Sequence, residues 1–485
     1  MKTNPQETDM RLQIPFLIFI LILTACAAPA APQARPSTSV KTQETAVPTE
    51  VIAEATFETS LLATEWKAGS QSILLYPLDP ARGSALPGHE PIPLGGSYFH
   101  AFSPDRRSLA IVSFPNDSPS HSANGSLLLI DLAAWKTRQF ETELNGWVTA
   151  MVFSPDGTRL ALTYGDYTNN LAIFDLQQGA ITAQEQTDSL ATRLKFTADG
   201  ESLMLYMLNN QATGDGMSTS PPQVLLLDAA DLSLRWTAEL VGVRDGVFPT
   251  DEETTSANFY EPGRALYFSP GVAFAPNRDA LHVVHADSGQ LTTVDFDAQN
   301  IETLEIQTEL SWFERLLSLT ASVAHAKVGD GTSKQVAISP DGQFLYVVGV
   351  HNESFQDSLG NIQMSQTPLG LEIVRTSDGS RTAHVETQAS ELSLSPDGRF
   401  LYLRYWADHY SVPWTEVFDT SGDQIITRKA GIYASPALRI NGEPLLVSTY
   451  SPTENSHHMS VSQLEDLSVL SEWTAPSYIA WLTPQ

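Results

Sequence analysis

The chain has 485 residues, of which 42% are hydrophobic and only 17% charged, with a formal net charge of −29. A chain of this size and composition can bury a large core. Its acidity excludes the nucleic-acid binders, because binding a phosphate backbone requires a basic surface. The net charge is consistent with solubility outside a cell or with attraction of cations or a basic partner.

The amino terminus predicts export. An apolar run over Ile14–Leu23 has the length of a signal-peptide core and is too short to span a membrane as a helix. It is followed by Leu23-Thr-Ala-Cys26, and Cys26 is the only cysteine in the chain. Residues 1–25 are therefore expected to form a signal peptide. Met10 is a second candidate start, since only Arg11 would then precede the apolar run.

The Leu-Thr-Ala-Cys sequence resembles the lipobox of bacterial lipoproteins, in which the cysteine is lipidated after cleavage. The resemblance implies a lipid anchor at Cys26 and a location in the bacterial cell envelope, on the extracytoplasmic side of the membrane. Residues 26–56 are rich in Ala, Pro, Ser, Thr and Gln. They lack the apolar density to build a core, so we expect a disordered tether.

A turn of Ser-Pro-Asp-Gly type recurs six times in the rest of the chain. The copies start at Phe102, Phe153, Phe196, Phe274, Ile338 and Leu394. Proline and Asp or Asn suit the central positions of a type I turn, and the following Gly supplies a positive φ. Structural turn roles are therefore predicted for Asp105, Asp156, Gly157, Asp199, Gly200, Asp341, Gly342, Asp397 and Gly398.

Each turn joins two apolar runs and is followed by a strand–turn–strand pattern, so each repeat predicts four antiparallel strands. The period of about 40–50 residues is typical of propeller blades. An all-β propeller over residues 57–485 follows, with seven to eight blades. A degenerate repeat starts at Pro436, and the ring would close by pairing terminal strands at Ser72–Leu78 and Tyr478–Leu482. This pairing predicts seven full blades and one composite blade. If a terminal strand belongs to the neighbouring blade instead, the ring has seven blades in total.

The blade pattern over Phe99–Leu482 resembles the bacterial WD-repeat-like propellers, including the YVTN and TolB-like families. This resemblance implies the fold and leaves the function open, because such propellers serve many functions.

Two insertions interrupt the repeats. Residues 309–327 have apolar side chains at helical spacing and predict one amphipathic helix, which would pack across the rim of the ring or, through Trp312 and Phe313, dock a partner. Residues 241–266 are acidic at Asp251, Glu252 and Glu253 and aromatic at Phe259 and Tyr260. These are the possible binding loops, since propellers carry recognition in loops; a plain solvated loop is the alternative.

The sequence contains no Gly-x-Ser-x-Gly elbow, Walker loop or dinucleotide-binding fingerprint, and no catalytic residue, metal ligand or cofactor is predicted. His282 and His285 are three apart on a predicted strand and should point to opposite faces. The expected function is a binding or scaffold module for a protein or small-molecule ligand, acting as a monomer. The alternative is a lactonase-like enzyme with polar groups converging at the channel mouth. The innermost strands offer Phe153, Phe196, Phe274, Ile338 and Leu394, which favours binding.

Overall fold

The computed structural model describes residues 56–66, 72–115, 124–165, 169–209, 212–213, 216–217, 219–255, 258–259, 264–306, 330–356, 362–407, 412–453, 456–475 and 477–482. They all belong to one compact unit, Glu50–Gln485. Residues 1–25, the tether up to residue 55, the inserted helix at 309–327 with Trp312 and Phe313, and Tyr260 lie outside the described residues. The described part contains strands and turns and no helix.

The described chain forms a ring of antiparallel blades. Seven blades are built from consecutive strands, and an eighth, blade 1, is closed by both ends of the described chain. The predicted all-β propeller of four-stranded blades is thus confirmed, including its composite blade. The strands of blades 1 to 4, from the innermost outward, are: blade 1, β38 (Tyr478–Trp481), β1 (Leu61–Trp66), β2 (Ile73–Asp79) and the short β3 (Ser84–Ala85) and β4 (Ile92–Pro93); blade 2, β5 (Ser97–Phe102), β6 (Ser108–Phe114), β7 (Asn124–Asp131) and β8 (Lys136–Asn145); blade 3, β9 (Trp147–Phe153), β10 (Arg159–Gly165), β11 (Asn169–Asp175) and β12 (Ala180–Thr187); blade 4, β13 (Leu190–Phe196), β14 (Ser202–Leu208), β17 (Gln223–Asp228) and β18 (Leu234–Glu239).

The remaining blades repeat this order. Their strands are: blade 5, β21 (Gly271–Phe274), β22 (Ala280–Val284), β23 (Gln290–Asp295) and β24 (Asn300–Glu305); blade 6, β25 (Asp330–Ile338), β26 (Phe344–Gln356), β28 (Leu371–Arg375) and β29 (Arg381–Val385); blade 7, β30 (Glu391–Leu394), β31 (Phe400–Ala407), β32 (Val412–Asp419) and β33 (Gln424–Ala430); blade 8, β34 (Ala434–Leu438), β35 (Pro444–Thr453), β36 (Ser456–Ser462) and β37 (Val469–Ala475). Between β14 and β17 lies a two-stranded hairpin, β15 (Ala212–Thr213) and β16 (Gly216–Met217).

The ring closes through a strand that the sequence analysis missed. The predicted terminal strand does pair at the carboxyl end, but its partner is β1, with Ala63 opposite Trp481 and Trp66 opposite Tyr478. The strand at Ile73–Asp79 lies one position further out, on the other edge of β1. The run Leu61–Trp66 has no alternating pattern, because Leu61, Leu62 and Ala63 are all buried between blades.

The core is divided among the interfaces between blades. At the closure, Ile479 of blade 1 packs with Leu78 of the same blade and Met459 of blade 8. Between blades 2 and 3, Phe153, Leu160 and Leu162 pack against residues of the preceding blade. Consecutive residues are buried along the second strands, as in Leu109–Val112 and Leu203–Tyr206, because each face of a blade is covered by one neighbour.

The insertion at 241–266 adds strands to the propeller. Gly246–Pro249 forms β19 and Ala265–Ser269 forms β20, and the two pair antiparallel. β20 also pairs in parallel with β25, on the inner edge of blade 6. The interpretation of this segment as a plain solvated loop is therefore wrong. Blade 6 carries a further strand, β27 (Ile362–Pro368), paired with the end of β26.

Candidate functional site

The two faces of the ring differ in what they carry. In blades 2 to 8 the innermost strands run in the same direction across the ring and end in a hairpin turn, so these turns share one face, which we call the turn face. The connections from the second to the third strand and from one blade to the next lie on the opposite face. That face, here the insertion face, therefore carries β19, β20 and the β26–β27 arm.

The amino-terminal segment enters the ring on the turn face. Ile440 and Asn441, in the hairpin turn of blade 8, donate backbone hydrogen bonds to the carbonyls of Ser60 (3.1 Å) and Glu58 (2.8 Å). Phe57 stacks on His89, with ring centroids 4.4 Å apart. These contacts fix the start of the described chain opposite the insertion face.

The predicted turn acids are engaged within their own turns. A serine or threonine hydroxyl two residues earlier donates to each carboxylate, at 2.5–2.7 Å, in the pairs Ser103–Asp105, Ser154–Asp156, Thr197–Asp199, Ser339–Asp341 and Ser395–Asp397. These hydrogen bonds stabilise the ionised form and lower the pKa of Asp105, Asp199 and Asp341. The following residue has positive φ at Gly157, Gly200, Gly342 and Gly398, whereas Arg106, at φ 58°, takes this place in the first copy.

The innermost strands do not present their large apolar residues to the axis. Phe153 and Phe196 are 4% and 2% exposed and pack between blades. Phe274, Ile338 and Leu394 likewise pack against neighbouring blades. The sequence analysis took these apolar side chains to reach the axis of the ring. That expectation is wrong, because successive side chains of an innermost strand point toward the two neighbouring blades in turn.

Polar side chains of the innermost strands instead join blades. Lys195 donates to the carbonyl of Ala275 and Lys334 to the carbonyl of His285, both at 2.6 Å. Thr64 and Tyr98 share a hydrogen bond of 2.8 Å between blades 1 and 2. Burial lowers the pKa of both lysines. These groups stabilise the ring, and sequence periodicity gave no sign of them.

The acidic part of the 241–266 insertion is neutralised locally. Arg264 lies 3.2 Å from a carboxylate oxygen of Asp251 and 3.5 Å from one of Glu253. Glu252 is exposed and Phe259 is partly buried. Asp251 is further held by the hydroxyl of Thr254 at 2.9 Å, which lowers its pKa. This predicted binding loop is thus a folded element with internal ion pairs.

Another acid of the same insertion was missed. Asp245 accepts a 2.8 Å hydrogen bond from the hydroxyl of Tyr206, which is 1% exposed. Burial raises the pKa of Asp245 to about 6. Beside it, Arg244 pairs with Asp287 at 3.4 Å and lies over the ring of Phe248. Nothing near Asp245 in the sequence signals this contact, because Tyr206 is 39 residues away.

His282 and His285 are both buried. The Nδ1 atom of His282 lies 3.0 Å from Thr293 Oγ1, and Nε2 of His285 lies 2.7 Å from Thr292 Oγ1. Burial lowers the pKa of His282 to about 4. The two rings thus have different partners. Across the described ranges, no group of three or more His, Cys, Asp or Glu side chains is placed to hold a metal ion.

A cleft opens on the insertion face between blades 6 and 7, and its volume is about 600 Å³. Blade 6 contributes Val350, Gln366 and Pro368, and blade 7 contributes Tyr405, Trp406, Glu416 and Arg428. The connection between the blades completes the lining with Glu386, Thr387, Gln388 and Ser390. Such a volume suits a small ligand.

A buried carboxylate organises the cleft wall. Glu416 is 2% exposed, and its Oε2 accepts a 2.6 Å hydrogen bond from Thr387. Its Oε1 lies 3.1 Å from Nε of Arg428, its cross-strand neighbour. The ion pair neutralises Glu416, and the side chain of Arg428 is 55% exposed. Burying a carboxylate without such partners would be costly.

Aromatic rings stiffen the same wall. Tyr405 stacks on Trp414, with centroids 6.0 Å apart and an interplanar angle of 2°. Trp406 packs on Tyr433 at 5.2 Å. Tyr433 also lies under the guanidinium of Arg404, which pairs with Glu391 at 3.4 Å. Tyr405 and Trp414 thus share the cleft side of blade 7 with Glu416, whereas Arg404 and Trp406 alternate with them along the sheet and face blade 8.

Further aromatic side chains are exposed on the insertion face. Trp147 and Tyr478 begin innermost strands and are 47% and 46% exposed, and Trp66, opposite Tyr478, is 58% exposed. Exposed tryptophans are typical of recognition surfaces.

No described helix is long and apolar enough to cross a membrane.

Comparison with known proteins supports the fold. No family model and no curated protein sequence matches the chain. The dihydro-heme d1 dehydrogenase NirN, solved in complex with DHE, is similar with a TM-score of 0.53 and 11% identity, over 90% of this chain and 77% of that one. The Cps50 (Swd1) β-propeller domain of Myceliophteria thermophila (TM-score 0.39, 11% identity) covers 79% of this chain and 97% of its own. Hydrazine synthase of Kuenenia stuttgartiensis (0.40, 14%) covers 78% and 99%. The blades and the likeness to NirN identify the fold as a β-propeller.

Proposed function

We propose that this protein is an exported, lipid-anchored propeller of the bacterial cell envelope that binds a partner or ligand through its insertion face and has no catalysis of its own. The observation that carries the proposal is the opposition of the two faces. The amino-terminal segment is fixed to the turn face by Ser60 and Glu58. The inserted strands, the exposed tryptophans and the cleft all lie on the other face.

The anchor follows from the Leu23-Thr-Ala-Cys26 sequence after the apolar run. A lipid on Cys26 would attach a tether of about 30 residues, which at about 3.3 Å per residue reaches at most about 100 Å. Since the tether joins the ring at the turn face, the insertion face is free to meet partners. The lipobox-like sequence motivates the envelope assignment, and the blades resemble those of the YVTN and TolB-like propellers.

The anchor is tested by replacing the lipidated residue. Full-length protein and Cys26→Ser are expressed with a radiolabelled fatty acid, and membranes are separated from soluble fractions. We expect label and membrane association for the natural chain, and neither for the variant. Equal partitioning of the two proteins would overturn the anchor.

Binding is tested with exposed residues of the insertion face. The double variant Trp66→Ala, Trp147→Ala is compared with Leu234→Ala, which removes a side chain 58% exposed on the outermost strand of blade 4. We expect the double variant to lose the envelope component captured by the full-length protein, and the control to retain it. Hydrolysis of a panel of lactones by the purified protein would contradict the non-catalytic part of the proposal.

A further inference from the structure

We propose that the cleft between blades 6 and 7 is a binding site for a neutral oligosaccharide. This inference deepens the proposed function and rests on it, since it assigns a ligand class to one part of the insertion face. It is argued from the charge, the polarity and the backbone pairing of the cleft walls.

The charges of the cleft disfavour ionic ligands. Glu416 and Arg428 form an ion pair at 3.1 Å that carries no net charge. Glu386, whose side chain is 94% exposed, adds a carboxylate that would repel an anion, and the exposed side of Arg428 would repel a cation. A polyanion would meet the chain's net charge of −29. A neutral ligand is therefore the best electrostatic match.

The polarity of the cleft disfavours an apolar ligand. Only Val350 and Pro368 contribute aliphatic side chains, whereas the other lining residues are amides, hydroxyls, charged groups and two aromatic rings. The amides of Gln366 and Gln388 and the guanidinium of Arg428 have planar polar groups that can form paired hydrogen bonds with adjacent hydroxyls. A ligand rich in hydroxyl groups would use these partners.

The aromatic rings supply the complementary apolar contact. Tyr405 is half-buried, lines the cleft on the same side of blade 7 as Glu416 and is stacked on Trp414, with centroids 6.0 Å apart. A pyranose ring has hydroxyls at its edges and C–H groups on its faces, so it can stack on an aromatic ring while its edges form hydrogen bonds. Trp414 holds the Tyr405 ring in place, which limits the entropy lost on binding.

Backbone pairing leaves few strand edges for an extended peptide. β32, which carries Glu416, is paired on both edges, and β31 is paired on both edges up to Arg404. Strand addition needs an unpaired edge, so it is confined to β27, which pairs only with β26, and to the last residues of β31. The tetra-alanine probe tests whether a peptide uses these edges.

The test is calorimetric titration of the full-length protein, in a detergent without a sugar headgroup, with chitotetraose, cellotetraose and maltotetraose. Choline and tetra-alanine serve as comparison probes. We expect saturable binding of at least one oligosaccharide and none of the comparison probes. Tyr405→Ala should weaken binding at least tenfold, whereas Leu234→Ala, on the outermost strand of blade 4 and outside the cleft, should leave the affinity unchanged.

Because Tyr405 stacks on Trp414, its loss could disturb folding, so Gln388→Ala provides a second variant at an exposed position and should weaken binding about threefold or more. Absence of oligosaccharide binding, affinity unchanged in both cleft variants, or binding of choline or tetra-alanine in the cleft would overturn the assignment. If oligosaccharide binding fails but the full-length protein still captures an envelope component, the proposed binding function is retained and only the oligosaccharide assignment is rejected.

Discussion

The hydroxyl of Tyr206 donates a 2.8 Å hydrogen bond to Asp245, which joins blade 4 to the insertion that follows it. Tyr206 is buried and Asp245 is partly buried. Burial raises the pKa of both groups, and the positive charge of Arg193 partly offsets this shift. Ionising the carboxylate here costs free energy, because burial removes its hydration. The stability of the insertion is thereby linked to pH.

The first prediction concerns this pH dependence. The folded pKa of Asp245, about 6, lies above the value of 3.8 for an unperturbed Asp. The folded state therefore binds more protons between these values, and the contribution is full below about pH 4 and lost as the pH rises through 6. Asp245→Asn should remove that loss and be more stable than the natural protein at pH 7 by about 1–2 kcal/mol.

The measurement is denaturant unfolding of both proteins from pH 4 to pH 8. The difference between the two free energies of unfolding should grow in favour of the variant between pH 4 and pH 6.5. A constant difference over this range would contradict a raised pKa. The hydrogen bond from Tyr206 is retained in the variant, since an amide oxygen can accept it.

The second prediction separates the cost of backbone strain from the cost of steric overlap in the repeated turn. Gly157 and Gly398 have similar φ values, 71° and 74°. A Cβ added at Gly157 would meet nothing within 4 Å, whereas one added at Gly398 would lie 2.5 Å from Cδ of Pro340 in the preceding hairpin turn. Gly157→Ala should cost about 1 kcal/mol from backbone strain. Gly398→Ala should cost at least 1 kcal/mol more, because a proline ring cannot move aside easily.

Thermal or denaturant unfolding of both variants checks this difference. Equal destabilisation would show that the turn relaxes at the crowded position. A loss much larger than 1 kcal/mol at Gly157 would instead show that backbone strain in these turns is greater than a single positive φ explains.

The third prediction concerns ring closure. Ile479 is 3% exposed at the interface of blades 8 and 1, and its neighbour Tyr478 is 46% exposed. Ile479→Ala should destabilise the propeller by about 2–5 kcal/mol, as other large-to-small core substitutions do. Tyr478→Ala, the control in the same strand, should cost less than about 1 kcal/mol.

Urea unfolding followed by tryptophan fluorescence measures both variants. A cost at Ile479 no larger than at Tyr478 would mean that β38 contributes little to the closed ring. Because β38 joins the two ends of the described chain, the Ile479 variant should also become more sensitive to proteolysis.

The fold could be predicted because its signals are local. The Ser-Pro-Asp-Gly turn needs a particular sequence of residues, and it recurs at the period of a blade, so hairpins such as that of Phe153 and Leu160 follow from a few neighbouring positions. Leu61–Trp66 lacked both an adjacent turn and an alternating pattern. It is a strand because β2 and β38 pair with its two edges.

The candidate site could not be predicted in the same way. Glu416, Thr387 and Arg428 are separated by 29 and 12 positions and meet only when blades 6 and 7 form. In the sequence, Glu416 is one acid in the alternating strand Val412–Asp419. Of the predicted binding-loop acids, Asp251 and Glu253 pair with Arg264, and the buried Asp245 of the same insertion was not predicted.

Site-specific photocrosslinking in the intact envelope tests most directly whether the insertion face is the binding face. A photoreactive phenylalanine analogue replaces Trp147, Trp66 or Trp406 on the insertion face, or Arg107 or Thr158 next to hairpin turns on the turn face. The proposed function predicts a defined crosslinked product from one or more of the insertion-face positions and none from the turn-face positions. Crosslinking from the turn face alone would contradict it.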